Sequence, residues 1–135
     1  SHALVQAVDL FATIGELFGA NIAQNTVGVT LDSIPFTSVL TDPTNNGERE
    51  WMYAEVFGLT TPNAKDAVAV RNTEYKLIRE QQPNATITEK LFNLDVDPYE
   101  KNNLINTMTD LDADAYNTLN SVLDSIGSTL IPPGV

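Results

Sequence analysis

Glu89-Lys-Leu-Phe-Asn-Leu-Asp-Val-Asp-Pro-Tyr-Glu-Lys-Asn-Asn-Leu104 joins a short apolar run to a cluster of carboxylates, a proline and paired asparagines. Residues 90–94 read as a strand, and the acids and Pro98 that follow read as a turn. Asp95 and Asp97 also place oxygens at alternate positions, as a calcium loop does. That match fails, because an EF-hand loop wants glycine at its sixth position and glutamate at its twelfth, and here Glu100 and Asn106 stand there. The second acidic run, Asp110, Asp112 and Asp114, puts Ala115 and Ser121 at those positions. Acidic side chains capping the last helix account for it better.

Working outward from this exit, residues 67–71 and 75–79 alternate in the manner of two strands, and Asn72-Thr-Glu74 between them reads as the turn of an antiparallel hairpin. Asn72 can take a positive-φ position there, though Asn-Gly would be the stronger signal. Gln81-Gln-Pro-Asn84 breaks the sheet before the strand at 90–94. Residues 51–57 form an aromatic-rich strand with Trp51, Tyr53, Glu55 and Phe57 on one face, followed by a loop over 59–66. On the C-terminal side Ala115, Leu119, Val122 and Ile126 mark an amphipathic helix that Gly127 ends and Pro132-Pro133 cannot extend.

Towards the N-terminus, Leu4, Val8, Phe11, Ile14 and Phe18 follow a helical period that Leu10 and Leu17 widen, which predicts a helix buried on more than one side. Asp9 is its expected N-cap and Gly19 its stop. Gly15 costs about 1 kcal/mol against alanine in a helix interior, so close packing is expected at that point. Residues 32–40 read as a turn and a short helical segment, and Asp42-Pro-Thr-Asn-Asn-Gly47 as a loop. Ser1-His2 reads as a cloning remnant as readily as native sequence, and the immediate entry into a helical pattern suggests a chain that begins in mid-fold.

At 135 residues, 42% of them hydrophobic, the chain can build one compact domain. Its 7 Lys and Arg against 18 Asp and Glu give a formal charge of -11, which opposes nucleic acid and anionic lipid surfaces as partners. No apolar run approaches the roughly 18 residues of a membrane span. The chain has no cysteine, which excludes disulfides, thiol nucleophiles and cysteine metal sites. Glu55 and Arg71 are the best-placed polar candidates, each more plausibly held by a structural partner than poised for chemistry. With His2 the only histidine, no nucleophile and base form a pair. Asn84-Ala-Thr86 is a glycosylation sequon, a match too short to carry weight.

The order of these segments is more informative than any one of them. Val8-Asp-Leu-Phe-Ala-Thr-Ile-Gly-Glu-Leu-Phe-Gly19 is similar to the sulfatase pattern V-D-L-x-x-T-[IL]-x-x-L-x-G, with Ala12 where many members have proline. Residues 32–40 resemble D-x-x-S-[FL]-x-x-[LV]-L, with Pro35 at the usual serine. Residues 69–78 resemble A-[VI]-R-x-x-x-Y-K-L-I. The opening stretch resembles E-L-Y-[DN]-L-x-x-D-P-x-E-x-x-N-L, matched by Leu91-Phe-Asn-Leu94, Asp97-Pro98, Glu100 and Asn103-Leu104, with Lys90 intervening after Glu89. Together the chain resembles the C-terminal part of the sulfatase family of alkaline-phosphatase-like hydrolases.

The resemblance implies an α+β fold: a small antiparallel sheet with a C-terminal helix over residues 63–135, and over residues 1–62 a helix and strand belonging to an alkaline-phosphatase-like α/β catalytic domain. It implies a full-length hydrolase of sulfate or related phosphate esters, with a formylglycine nucleophile made from a C/S-x-P-x-R motif and with a calcium ion, both upstream of this segment. Ser33-Ile-Pro-Phe-Thr37 imitates that motif only until Thr37, and no Asp-Asn dipeptide is present. No catalytic, cofactor-binding or metal-binding residue carries over, so the segment alone should be inactive. The expected partners are the remainder of the catalytic domain or another copy of the chain through exposed apolar faces. The expected location is periplasmic or secreted. A non-catalytic binding or assembly module derived from a sulfatase tail is the alternative, and a small calcium-binding domain a third reading.

Overall fold

A computed structural model describes residues 1–20, 22, 28–29, 31–57, 66–82, 84 and 86–126. The expected loop from residue 59, the domain boundary at 62, the Gly127 stop and the Pro132-Pro133 terminator lie outside the described residues, as does Ala85 of the sequon. The chain divides into two compact units, Ser1–Met52 and Tyr53–Val135.

In the first unit, helix α1 spans Asp9–Leu17 and helix α2 spans Thr37–Thr41. The helix is shorter than the apolar period suggests, because residues 6–8 make tighter turns in which the Asp9 and Leu10 amides donate to the Gln6 and Ala7 carbonyls. The N-cap position belongs to Val8, whose side chain caps nothing. Asp9, expected as the cap, is the first helical residue and reaches back to accept the Gln6 amide at 2.8 Å. Gly19 ends the helix as expected, at φ 70°. The cost of Gly15 has its reason too: a Cβ there would lie 2.8 Å from Ile22 Cγ1 and closer still to Cδ1. The 42–47 loop follows its turn chemistry, Asp42 Oδ1 accepting the Thr44 amide and Asn45 Oδ1 the Gly47 amide.

Helix α1 is not buried on more than one side. Its buried residues are Asp9, Ala12 and Thr13, whereas Leu10, Phe11, Ile14 and Leu17 are all at least half exposed. Leu4 and Ala12 are the buried apolar residues of this unit among the described residues.

The second unit contains a four-stranded sheet in the order β1 (Met52–Val56), β2 (Asp66–Arg71), β3 (Tyr75–Gln81) and β4 (Ile87–Asn93), followed by helix α3 (Asp110–Ser125). Strand β2 pairs antiparallel with β3 from Asp66↔Gln81 to Arg71↔Lys76, and β3 with β4 from Tyr75↔Asn93 to Gln81↔Ile87. Period-2 alternation in this register puts Val68 and Val70, Tyr75 and Leu77, and Leu91 on one face. Helix α3 lies against β2 and β3, and its Leu119 and Leu123 complete a core in which Val70, Leu77, Leu91 and Leu123 are wholly buried. Leu123 occupies the place the periodicity gave to Val122 and Ile126. Strand β4 starts at Ile87, earlier than the expected Lys90, because pairing with β3 continues past the apolar run. At the other margin of the sheet, Val56 of β1 and the following Phe57 are exposed.

The β2–β3 turn does not use a positive φ at Asn72; among the described non-glycine residues only Glu100 has one. Asn72 instead accepts the Glu74 and Tyr75 amides on Oδ1, at 2.9 and 2.7 Å, so its side chain does the work of a strained backbone.

Candidate functional site

The polar residues of the N-terminal motifs converge inside the first unit. Asp9 accepts two backbone amides, Gln6 on Oδ2 and Ile34 on Oδ1 at 3.0 Å, and a two-pronged bond from Arg49, whose Nε lies 2.7 Å from Oδ2 and whose Nη2 meets Oδ1. Arg49 Nη2 also donates to the Asp32 carbonyl at 2.7 Å. Thr13 Oγ1 donates to the Asp9 carbonyl and accepts the Phe36 amide, and Thr37 Oγ1 donates to Glu16 Oε2. Ser33 Oγ donates to the Val8 carbonyl at 2.7 Å and accepts the Ala12 amide at 3.0 Å. Burial pushes the Asp9 carboxyl pKa up, but the Arg49 guanidinium and the two amides outweigh it and hold the group below its ordinary value. The helix is thus tied to residues 32–37 and to Arg49 by its polar side.

The Ser33 hydroxyl is engaged by two backbone groups and so orders the backbone between α1 and residue 34. Arg49, which the sequence reading did not single out, is the buried counter-ion of Asp9. Beside it opens a cleft of about 350 Å³ lined by Leu31, Asp32, Ile34, Glu48, Arg49 and Trp51 among others. The Arg49 donors are taken up by Asp9 and by the Asp32 and Trp51 carbonyls, and Asp32, Glu48 and Glu50 give the cleft a negative lining.

In the second unit the remaining candidates are held by structural partners. Glu55 accepts the Tyr53 hydroxyl at 2.7 Å, which confirms that the two share a face of β1. Burial, then the Glu55 hydrogen bond and charge, push the Tyr53 phenol up to about 12. Arg71 Nε donates to the Asn72 carbonyl at 3.1 Å. Asn84 of the sequon accepts the Thr86 amide.

The acidic exit from β4 resolves into turn and edge. Glu100 donates its amide to the Asp97 carbonyl at 3.1 Å, closing a turn with Pro98 at its second position, and Asp97 Oδ2 accepts the Asn102 amide at 2.7 Å. Glu100 pairs with Lys76 at 2.7 Å. Asn103 then turns back onto β4: its Oδ1 accepts the buried Leu91 amide at 3.0 Å, and the Leu104 amide donates to the Leu91 carbonyl at 2.9 Å. Asn103 and Leu104 of the motif therefore cover part of the open edge of the sheet.

The second acidic run behaves as a cap. Asp112 accepts the Thr109 amide and hydroxyl, both at 2.8 Å, while its own amide donates to Thr109 Oγ1. Its other oxygen accepts the Tyr75 hydroxyl at 2.9 Å. The Thr109 bonds, aided by Tyr75 and opposed by burial, hold the Asp112 pKa down; burial and the Asp112 bond push that of Tyr75 up. Nearby, Arg79 bridges Glu89 at 2.8 Å and Asn120 at 2.6 Å, and Glu89 accepts the Tyr116 hydroxyl. Asp97, Glu100 and Asp112 are thus engaged by protein donors, and among the described residues no three acidic or histidine side chains form a metal-holding group. The described residues therefore offer no group of free carboxylates for a calcium ion.

No family model and no curated protein matches the chain. Solved structures do. A protein of Bacteroides thetaiotaomicron assigned as a sulfatase aligns with a TM-score of 0.73 at 18% identity over 96% of this chain and 26% of its own. BT1596, a 2-O GAG sulfatase, aligns with a TM-score of 0.69 at 18% identity over 94% of this chain and 26% of its own. BT4656, in complex with its substrate D-glucosamine-2-N,6-O-disulfate, gives 0.65 at 18% identity over 90% and 24%. The chain spans about a quarter of the length of these structures, and at such identity the likeness is one of fold. The antiparallel sheet, its C-terminal helix and the N-terminal helix together have the fold of a segment of a sulfatase.

Proposed function

We propose that the chain is the C-terminal segment of a sulfatase-like hydrolase that cleaves sulfate esters as a full-length protein, and that the segment is not catalytic by itself. The observation that carries this reading is the alignment of nearly the whole chain with one quarter of a sulfatase. The order of the sequence motifs agrees with it. Residues 1–62 then belong to the catalytic domain and residues 63–135 to a subdomain of sheet and helix, whose sheet strand β1 of the first range also joins. The formylglycine nucleophile and the calcium ion belong to the upstream part, since the carboxylates described here serve as caps and ion pairs. Among the described residues no helix is long and apolar enough to cross a membrane. A periplasmic or secreted location follows from the family resemblance.

The test has two arms. Purified chain is assayed on aryl sulfate and aryl phosphate with added calcium; no turnover is expected, and genuine turnover overturns the inactivity. The coding sequence upstream of Ser1 is then read for C/S-x-P-x-R followed by an Asp-Asn pair. Finding both supports the hydrolase, and finding neither leaves a stand-alone binding or assembly module instead.

A further inference from the structure

Helix α1 is amphipathic in the reverse sense. At about 100° per residue, Leu10, Ile14 and Leu17 form one stripe, widened by Phe11 and by Phe18 at the helix end, on the side of the helix away from the buried Asp9, Ala12 and Thr13. The polar side faces inward onto Arg49, Asp32 and residues 33–37, as the hydrogen bonds above require. The apolar side faces out: Leu10, Phe11, Ile14, Leu17 and Phe18 are 50 to 86% exposed. A helix normally buries its apolar stripe and wets its polar one. Here the polar side is consumed within the unit, and the apolar side has no partner among the described residues.

We propose that this face of α1 is the seat on which the upstream part of a sulfatase-like catalytic domain packs, an inference that rests on the proposed function. Two observations favour that occupant over a second copy of the chain. The neighbours carry about three-quarters of their length outside the matched segment, which supplies a partner of the required size. A second copy would instead bring a charge of -11 against -11. The five side chains also offer on the order of 500 Å², short of the about 800 Å² per partner of a specific interface, so the face suits one part of a larger continuous contact better than a dimer of its own.

The test uses the full 135-residue chain and the triple variant Leu10→Glu/Ile14→Glu/Leu17→Glu. Because all three side chains are exposed, the variant should keep the hydrogen-exchange protection of α1. A naphthalene-sulfonate dye should fluoresce with the native chain and several-fold less with the variant. Equal fluorescence, or none with either, means that the face is covered within the chain and overturns the proposal. The polypeptide encoded immediately upstream of Ser1, expressed separately, should be captured by the native chain and at least about tenfold more weakly by the variant. Capture that is equal, or absent with the native chain, overturns the docking seat and leaves the proposed function standing. An upstream sequence without the nucleophile motif removes the proposed function, and the seat with it. Should the triple variant unfold, Phe18→Asp at the helix end serves in its place, with the same outcomes.

Discussion

The two units reach order by opposite means. The Tyr53–Val135 unit packs Val68, Val70, Leu77, Leu91, Leu119 and Leu123 between sheet and helix, and its ion pairs and caps sit around that core. Among the described residues, the Ser1–Met52 unit buries the Asp9–Arg49 ion pair and Thr13 beside only Leu4 and Ala12, and leaves the large apolar side chains of α1 exposed. An apolar core stabilises a unit by removing surface from water and needs little beyond good packing. A buried ion pair must offset a large desolvation cost with charge and hydrogen bonds, and it gives position more surely than it gives stability. The second unit is therefore held by its core, the first by polar contacts that fix the position of its helix.

The largest effect should come from halving the ion pair. Arg49→Ala leaves the Asp9 carboxylate buried without its counter-ion, at a cost of about 3–5 kcal/mol. Hydrogen exchange should show amides of α1 losing protection while those of β3 stay protected; equal loss in both units would break the comparison. Leu77→Ala is the converse experiment. It removes a wholly buried side chain from the second unit and should cost about 2–5 kcal/mol in urea unfolding, with the α1 amides little changed.

Smaller effects sharpen the picture within the second unit. Asn103→Ala orphans the Leu91 amide and should cost about 1–3 kcal/mol, read as faster exchange of that amide. Thr109→Ala removes the capping box of α3, and a drop of about 1 kcal/mol in urea unfolding is expected.

Alkaline titration should separate the units with the gentlest perturbation. Every tyrosine of the chain lies in the second unit, and Tyr53, Tyr75 and Tyr116 all have raised phenol pKa values. A raised folded value means that the stabilisation is complete below the ordinary phenol value of 10.0 and is lost as pH rises through the folded one, about 12 for Tyr53. Tyr75 and Tyr116 should thus ionise only above the ordinary phenol value, visible as late phenolate absorbance accompanied by loss of α3 helicity. Acid does not discriminate in this way, because Asp9 and Asp112 are both held below 3.8 and their stabilisation is lost in each unit as pH falls through the lowered values.

The second unit was largely legible in the sequence because it obeys the rule that apolar residues go inside. Alternation located β2 and β3, and the segment order located the sheet and helix. What escaped was decided by side chains acting as backbone: Asn72 replacing a positive φ, and Asn103 replacing part of a strand. The first unit misled for a different reason. The apolar period of α1 is real, but a periodicity reports which side is apolar and is silent about whether that side meets its own chain. The candidate site was less legible still, since Asp9 and Arg49 lie 40 positions apart and no local pattern links them.

Asn103 has one more consequence. An exposed strand edge carries a row of unsatisfied amides and carbonyls on which a neighbouring molecule can add a strand of its own, the ordinary beginning of aggregation. By taking up the Leu91 amide with a side chain and its carbonyl with the Leu104 amide, the chain blocks that route at the middle of β4. Sheet growth from that edge is thereby hindered by two bonds that no local strand pattern announces.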